Sequence, residues 1–142
     1  MKDILEQKVY HSDTDTYGVV WHGSYLRWME MGRVEFCEKT GMTLKELANL
    51  DILLPVAEVN LKYKSSAKLE DIVLIETSVE KFNGLSATFN QIIKSKETGK
   101  IFVEGHVTVV SVDHNGKLYR KMPVVLSQLF EKALSTETPV CA

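Results

Sequence analysis

The sequence predicts an α+β fold in which an antiparallel β-sheet wraps around one long central α-helix, and three observations carry that expectation. Apolar residues recur at helical spacing from Ser24 to Lys39, the period changes from 3.6 to 2 from Ala57 onward, and glycine-containing turns separate the alternating runs. A single long helix and four long strands each bring one apolar face, and the economical packing sets each against the other.

Taken in order, Ile4 to His11 reads as a short strand, and Ser12 to Gly18 as a turn-rich segment. In the following helix Tyr25, Trp28, Met29, Gly32 and Phe36 form the apolar stripe, Glu30 and Arg33 stand at i,i+3, and Gly41 sits where a C′ glycine ends a helix. Thr43-Leu44-Lys45-Glu46 has the spacing of a capping box and opens a second, short helix ending near Leu50. Ala57, Val59, Leu61 and Tyr63 then alternate with polar residues, as do Val73, Ile75, Thr77 and Val79, which predicts strands with one buried face each. Phe82-Asn83-Gly84-Leu85 is a hairpin turn, Thr98-Gly99 joins the next two strands, and Asn115-Gly116 follows the last. Pro123 opens a terminal helix whose stripe is Leu126, Leu129, Phe130 and Ala133.

The chain has 142 residues, 44% hydrophobic and 25% charged, enough for one domain with a core of its own, placed here at residues 1–134. Residues 135–142, rich in Ser, Thr and Pro, read as a flexible C-terminal tail. With 17 Lys+Arg against 19 Asp+Glu scattered along the chain, neither nucleic acid nor an anionic membrane is expected as main partner. No apolar run approaches the length of a membrane span, and no targeting segment opens the chain. Cys37 and Cys141 make no disulfide framework or zinc motif, so a cytoplasmic location is expected.

The densest set of functional groups runs from Asp13 to Tyr25, between the first strand and the start of the long helix. A helix N-terminus offers unpaired N–H groups and a positive dipole end that stabilise an oxyanion, and a loop carboxylate beside it can serve as nucleophile or general base. Simpler roles stand beside this one. An Asp before a helix is commonly a turn or cap residue, which suits Asp13; His22 beside aromatic residues can be structural, and Tyr25 and Trp28 are core residues by spacing. An aspartyl-nucleophile phosphatase would need a doubly wound parallel sheet, for which no βαβ alternation is present. A metal site built on Asp13, Asp15 and His22 lacks further ligands at informative spacing.

The string Asp13-x-Asp15-x-x-Gly18-Val19-Val20-x-His22-x-x-Tyr25, followed by Glu30-x-x-Arg33, resembles the signature of hot-dog-fold acyl-CoA thioesterases, in the branch of 4-hydroxybenzoyl-CoA thioesterase and the YbgC-like enzymes. The resemblance continues through Val59-x-Leu61-x-Tyr63, Leu69-x-Asp71 and Met122-Pro123, covering about residues 4–134. It implies a sheet wrapped on a long helix and pairing of two subunits into one sheet, as a homodimer or homotetramer. It also implies hydrolysis of an acyl-CoA to carboxylic acid and CoA without a cofactor or metal. Asp15 is then the nucleophile or general base, the backbone N–H at His22 the oxyanion donor, and Gly18 the residue that lets the loop turn closely beside the thioester. Arg120 and Lys121 correspond to the stretch that meets CoA phosphates, with Lys64 and Lys68 as further candidates. The chain departs from the family at Lys64-Ser65-Ser66, where a basic-Pro pair is common. A non-catalytic module binding acyl-CoA or an acyl-carrier protein on the same fold is the alternative; a dehydratase would need a His and acid pair placed differently.

Overall fold

The computed structural model describes residues 1–135, so residues 136–142 of the expected tail, including Cys141, lie outside the described residues. The elements are β1 (Lys2–Lys8), a 3-10 turn (His11–Asp13), α1 (His22–Thr40), α2 (Leu44–Asn49), β2 (Val56–Tyr63), β3 (Ile72–Phe82), β4 (Ser86–Ser95), β5 (Ile101–Val110) and α3 (Val124–Ser135). The strands form one sheet in the order β1-β3-β4-β5-β2, with every neighbouring pair antiparallel. The first strand is thus shifted towards the N-terminus relative to the sequence expectation, because His11 to Asp13 close into the 3-10 turn.

α1 crosses the inner face of the sheet against β1, β3 and β4. Its expected stripe, Tyr25, Trp28, Met29, Gly32 and Phe36, is buried, and the Phe36 ring meets Phe89 edge-on at 5.7 Å. The helix ends at Gly41, whose φ of 137° favours glycine and whose N–H returns to the Cys37 and Glu38 carbonyls. Thr43 caps α2 through its side chain, which accepts from the Glu46 N–H at 3.0 Å. α3 closes the end of the core, its Phe130 packing on Phe82 and Phe89 at 5.6 and 5.9 Å.

A buried polar contact sets the seating of α1 on the sheet. Gln91, an inward residue of β4, donates from Nε2 to the Met29 carbonyl at 2.8 Å and to Thr77 Oγ1 at 2.9 Å, and its Oε1 accepts from Arg33 Nη1 at 3.0 Å. Gly32 makes this approach possible, since a Cβ there would stand 2.7 Å from Thr77 Oγ1, 2.8 Å from Ile75 Cγ2 and 3.0 Å from Gln91 Nε2. Arg33 therefore turns to Gln91, with Glu30 acting on it as a nearby charge.

β2 departs from the expectation of a buried face. It lies at the sheet edge, paired only with β5, and Val56, Val59 and Tyr63 are 44%, 44% and 49% exposed. Its alternation is that of a half-buried strand, yet among the described residues its inner face is left largely uncovered. Leu26, on the flank of α1, is likewise exposed, and a groove of about 190 Å³ runs between α1, α2 and β2, lined by Glu30, Arg33, Cys37, Leu54 and Val56 among others.

Candidate active site

The loop between β1 and α1 is tied down at both ends by Asp13. This residue is 1% exposed, its Oδ1 accepts from Arg27 of α1, and its Oδ2 accepts from the Tyr10 N–H at 2.9 Å. The Asp13 carbonyl takes the Trp21 N–H at 2.8 Å and the Ser24 hydroxyl at 3.0 Å. Asp13 is thus a structural residue, and with both carboxylate oxygens engaged it is not presented as a ligand for a cation shared with Asp15 and His22.

Beyond it, Asp15 to Gly18 form a tight turn. The Asp15 N–H donates to the Val19 carbonyl at 2.8 Å, the Gly18 N–H donates back to the Asp15 carbonyl at 3.2 Å, and Gly18 has a φ of 79°. That backbone conformation is the reason for a glycine here. The side chain of Asp15 joins the turn through Oδ1, which accepts the Tyr17 N–H at 2.8 Å, while Oδ2 has no hydrogen bond among the described residues. Val20 then donates to the Ala67 carbonyl at 2.9 Å, and Val19 bridges Lys68, so the turn lies beside the connection between β2 and β3.

These contacts enclose a cleft of about 400 Å³ lined by Asp15, His22, Tyr25, Tyr63, Lys64 and Ser66, together with Val19, Val20 and Ser65. His22 is the first residue of α1, and Trp21 at the N-cap makes no side-chain hydrogen bond to the helix. The first-turn N–H groups of His22 and Gly23 therefore have no acceptor from the helix itself or from its cap, and they mark the positive end of the dipole. Gly23 leaves room for the Trp21 ring, which a Cβ would meet at 2.3 Å. Across the cleft the Tyr63 hydroxyl donates to the His22 carbonyl at 3.1 Å, and the Tyr25 hydroxyl accepts the Ala67 N–H at 3.0 Å. Burial pushes both phenols above their ordinary value, keeping them protonated near neutrality.

The structure brings Asp15 and His22 to the cleft, with Gly18 in the turn that holds Asp15, Lys64 on the cleft wall and Lys68 in the adjoining segment; Lys64 also pairs with Glu104 at 3.3 Å. Arg120 and Lys121 lie elsewhere in the same chain. They follow Tyr119, whose N–H donates to Ser111 just past the end of β5 and whose hydroxyl donates to the Asp51 carbonyl at 2.8 Å. The cleft adjoins the opposite end of β5, where Lys64 N–H donates to the Phe102 carbonyl, and a ten-residue strand spans about 33 Å. Sequence reasoning missed Tyr63 and Ser66 as cleft residues and Gln91 as the seat of α1. Gln91 carried a signal as a polar residue in the inward row of Phe89 and Ile93, while Tyr63 and Ser66 stood in stretches noted for the resemblance without a role assigned to either.

Comparison with known proteins shows the family and the fold. Residues 9–130 match the model of the thioesterase-like superfamily. The acyl-CoA thioester hydrolase YbgC of Escherichia coli is 32% identical over 106 residues, covering 75% of this chain and 78% of that protein. The acyl-CoA thioesterase YbgC of Haemophilus influenzae is 32% identical over 101 residues, covering 66% and 74%. Among solved structures, the DHNA-CoA thioesterase of Staphylococcus aureus superposes with a TM-score of 0.86 at 25% identity, covering 94% of this chain and 91% of that one.

Proposed function

The chain belongs to the thioesterase-like superfamily and has its hot-dog fold, and from that premise we propose how it works as an acyl-CoA thioesterase, hydrolysing the thioester to a carboxylic acid and CoA. The observation that carries the reading is the convergence of the free Oδ2 of Asp15 and the uncapped first turn of α1 on one cleft. A thioester needs little further activation, so a positioned carboxylate and an oxyanion-stabilising helix end are sufficient equipment.

Two routes use these atoms. With Asp15 as general base, its carboxylate takes a proton from water as the oxygen attacks the thioester carbon, the N–H groups at His22 and Gly23 hold the oxyanion, and collapse expels the CoA thiolate, which recovers the proton. With Asp15 as nucleophile, the carboxylate displaces the thiolate to form an anhydride that water then opens. In both, Gly18 keeps the loop backbone close to the reacting centre and His22 contributes its main chain.

The working unit is a homodimer or homotetramer of one-domain subunits spanning residues 1–134. The exposed inner face and free edge of β2 support pairing with a second copy. An antiparallel two-fold pairing of β2 sets the Val56 end of one strand beside the Tyr63 end of the other. It thereby carries the partner's Arg120 and the partner's Lys121 towards this chain's cleft, where they meet CoA phosphates alongside Lys64 and Lys68.

The second reading, a binding module without turnover, finds support in the bond between Asp15 and the Tyr17 N–H, which a purely structural turn residue would also make. A thiol-release assay over a panel of acyl-CoAs of different length and ring character separates the two. Hydrolysis by the wild type and its loss in Asp15→Asn support the enzyme; tight binding with no thiol release supports the module.

A further inference from the structure

The groups that hold the start of α1 differ in where they come from. Asp13 and Arg27 act from below, within the loop and the helix itself, whereas Tyr63 reaches in from the last position of the edge strand β2. Its hydroxyl donates to the His22 carbonyl, and that carbonyl belongs to the peptide group whose N–H is the Gly23 N–H. A donor placed on the oxygen of a peptide polarises its N–H as well as fixing its plane, because charge drawn to the oxygen leaves the nitrogen end more positive. The hydrogen bond therefore acts on one of the two open N–H groups of the first turn and, through the shared residue, on the orientation of the other.

The ring of Tyr63 is placed to hold that contact. It meets the His22 imidazole edge-on at 6.5 Å and the Tyr25 ring at 5.8 Å, and Tyr25 is in turn fixed by the Ala67 N–H. At 49% exposure the side chain is not needed to fill the core, and no cap side chain competes for the helix start.

We propose that Tyr63 is a positioning residue for thioester hydrolysis, its hydroxyl orienting and polarising the His22–Gly23 peptide so that the first-turn N–H groups meet the developing oxyanion. The inference rests on the thioesterase reading and adds to it a dependence on β2, since the strand that presents its edge to a second copy also carries the hydroxyl. The contribution belongs to the transition state: the oxyanion gains from a more polar, better aimed N–H group, while the ground-state thioester oxygen gains little.

The test compares Tyr63→Phe, Tyr63→Ala and Asp15→Asn with wild type, using acyl-CoA thiol release, thermal melting and the KM against kcat split. Tyr63→Phe keeps the ring and loses only the hydroxyl, so kcat should fall about tenfold, the scale of one positioned hydrogen bond, with KM within about twofold and melting unchanged. Tyr63→Ala should lose at least as much kcat. If Tyr63→Phe matches wild type and only Tyr63→Ala is impaired, the ring packs and the hydroxyl does not position, which overturns the proposal while leaving Asp15 in place. A wild-type Tyr63→Phe beside an inactive Asp15→Asn removes this inference alone; undiminished hydrolysis by Asp15→Asn removes the Asp15 reading, whatever Tyr63→Phe does. A protein without hydrolysis in its wild-type form overturns both.

Discussion

Arg27, in the second turn of α1, reaches back to the buried carboxylate of Asp13, while Asp15 two residues further on points a free oxygen into the cleft. On the proposed mechanism the two aspartates of one short motif are divided between structure and chemistry, and conservative substitution should separate them by opposite signatures. Asp15→Asn keeps the acceptor for the Tyr17 N–H and loses the charge, so melting should stay close to wild type while kcat falls at least about 10², the low end of what general-base catalysis contributes. Asp13→Asn removes the charge of a buried carboxylate whose partner Arg27 is more than half exposed, which limits the loss to about 1–3 kcal/mol of stability. Urea midpoints and steady-state kinetics on the two variants check both halves.

For the CoA end of the substrate, the contrast lies between KM and kcat. Arg120→Ala combined with Lys121→Ala should raise KM for acyl-CoA more than it lowers kcat, because contacts to phosphates remote from the thioester stabilise ground and transition states alike. Added salt should shrink the difference from wild type. An unchanged KM at low ionic strength would move the phosphate contacts to Lys64 and Lys68.

A charge on the inner face of β2 probes the subunit contact. Val59→Lys places an ammonium on a strand face that is 44% exposed in the single chain, so the fold should tolerate it while association fails. On the proposed assembly, light scattering should report a dimer or tetramer for the wild type and a monomer for Val59→Lys, and acyl-CoA hydrolysis should fall with it. A monomeric wild type of full activity would detach the cleft from any second subunit.

Asp51 and His114 join the segment before β2 to the loop after β5, and their pairing gives a pH signature. The Asp51 Oδ1 lies 2.7 Å from His114 Nδ1 and accepts the His114 N–H at 2.9 Å. The hydrogen bond to Asp51 raises His114 above its ordinary 6.5, and the same bond holds Asp51 below its ordinary 3.8. The histidine contribution is complete below 6.5 and is lost as pH rises through the raised value; the aspartate contribution is complete above 3.8 and is lost as pH falls through the lowered one. The melting difference between wild type and His114→Asn should therefore be larger at about pH 5 than at about pH 9. An equal difference at both would mean that the ion pair adds nothing to stability.

Much of the fold was legible because local periodicity and burial coincide. The stripe on α1, the Thr43 cap and the face of α3 made by Leu126, Leu129, Phe130 and Ala133 all fall where the sequence puts them. The inner face of β2 reads as buried for the same reason, yet among the described residues little covers it, and periodicity reports the need for cover without naming its source. In the site, Asp15, Gly18 and His22 stand within eight residues and could be read together. Tyr63 could not, since the bond it makes joins positions 41 residues apart through two elements whose juxtaposition only the folded sheet supplies. Arg120 and Lys121 were recognisable as basic residues, while the end of the sheet they occupy depends on strand direction.

The missing side chain at Gly32 gives the molecule a fulcrum. Gly32 stands ten residues after His22, about 15 Å along the helix axis, and there the helix backbone rests on Thr77, Ile75 and Gln91 with no space for a methyl group. Any enlargement at that point tips α1 on the sheet, and with such an arm a tilt of about 4° swings the opposite end by about 1 Å. Displacements of that size are enough to spoil alignment between reacting groups. Accuracy at the start of the helix, where the proposed oxyanion donors stand, is therefore stored near its middle, in a residue that has no side chain at all.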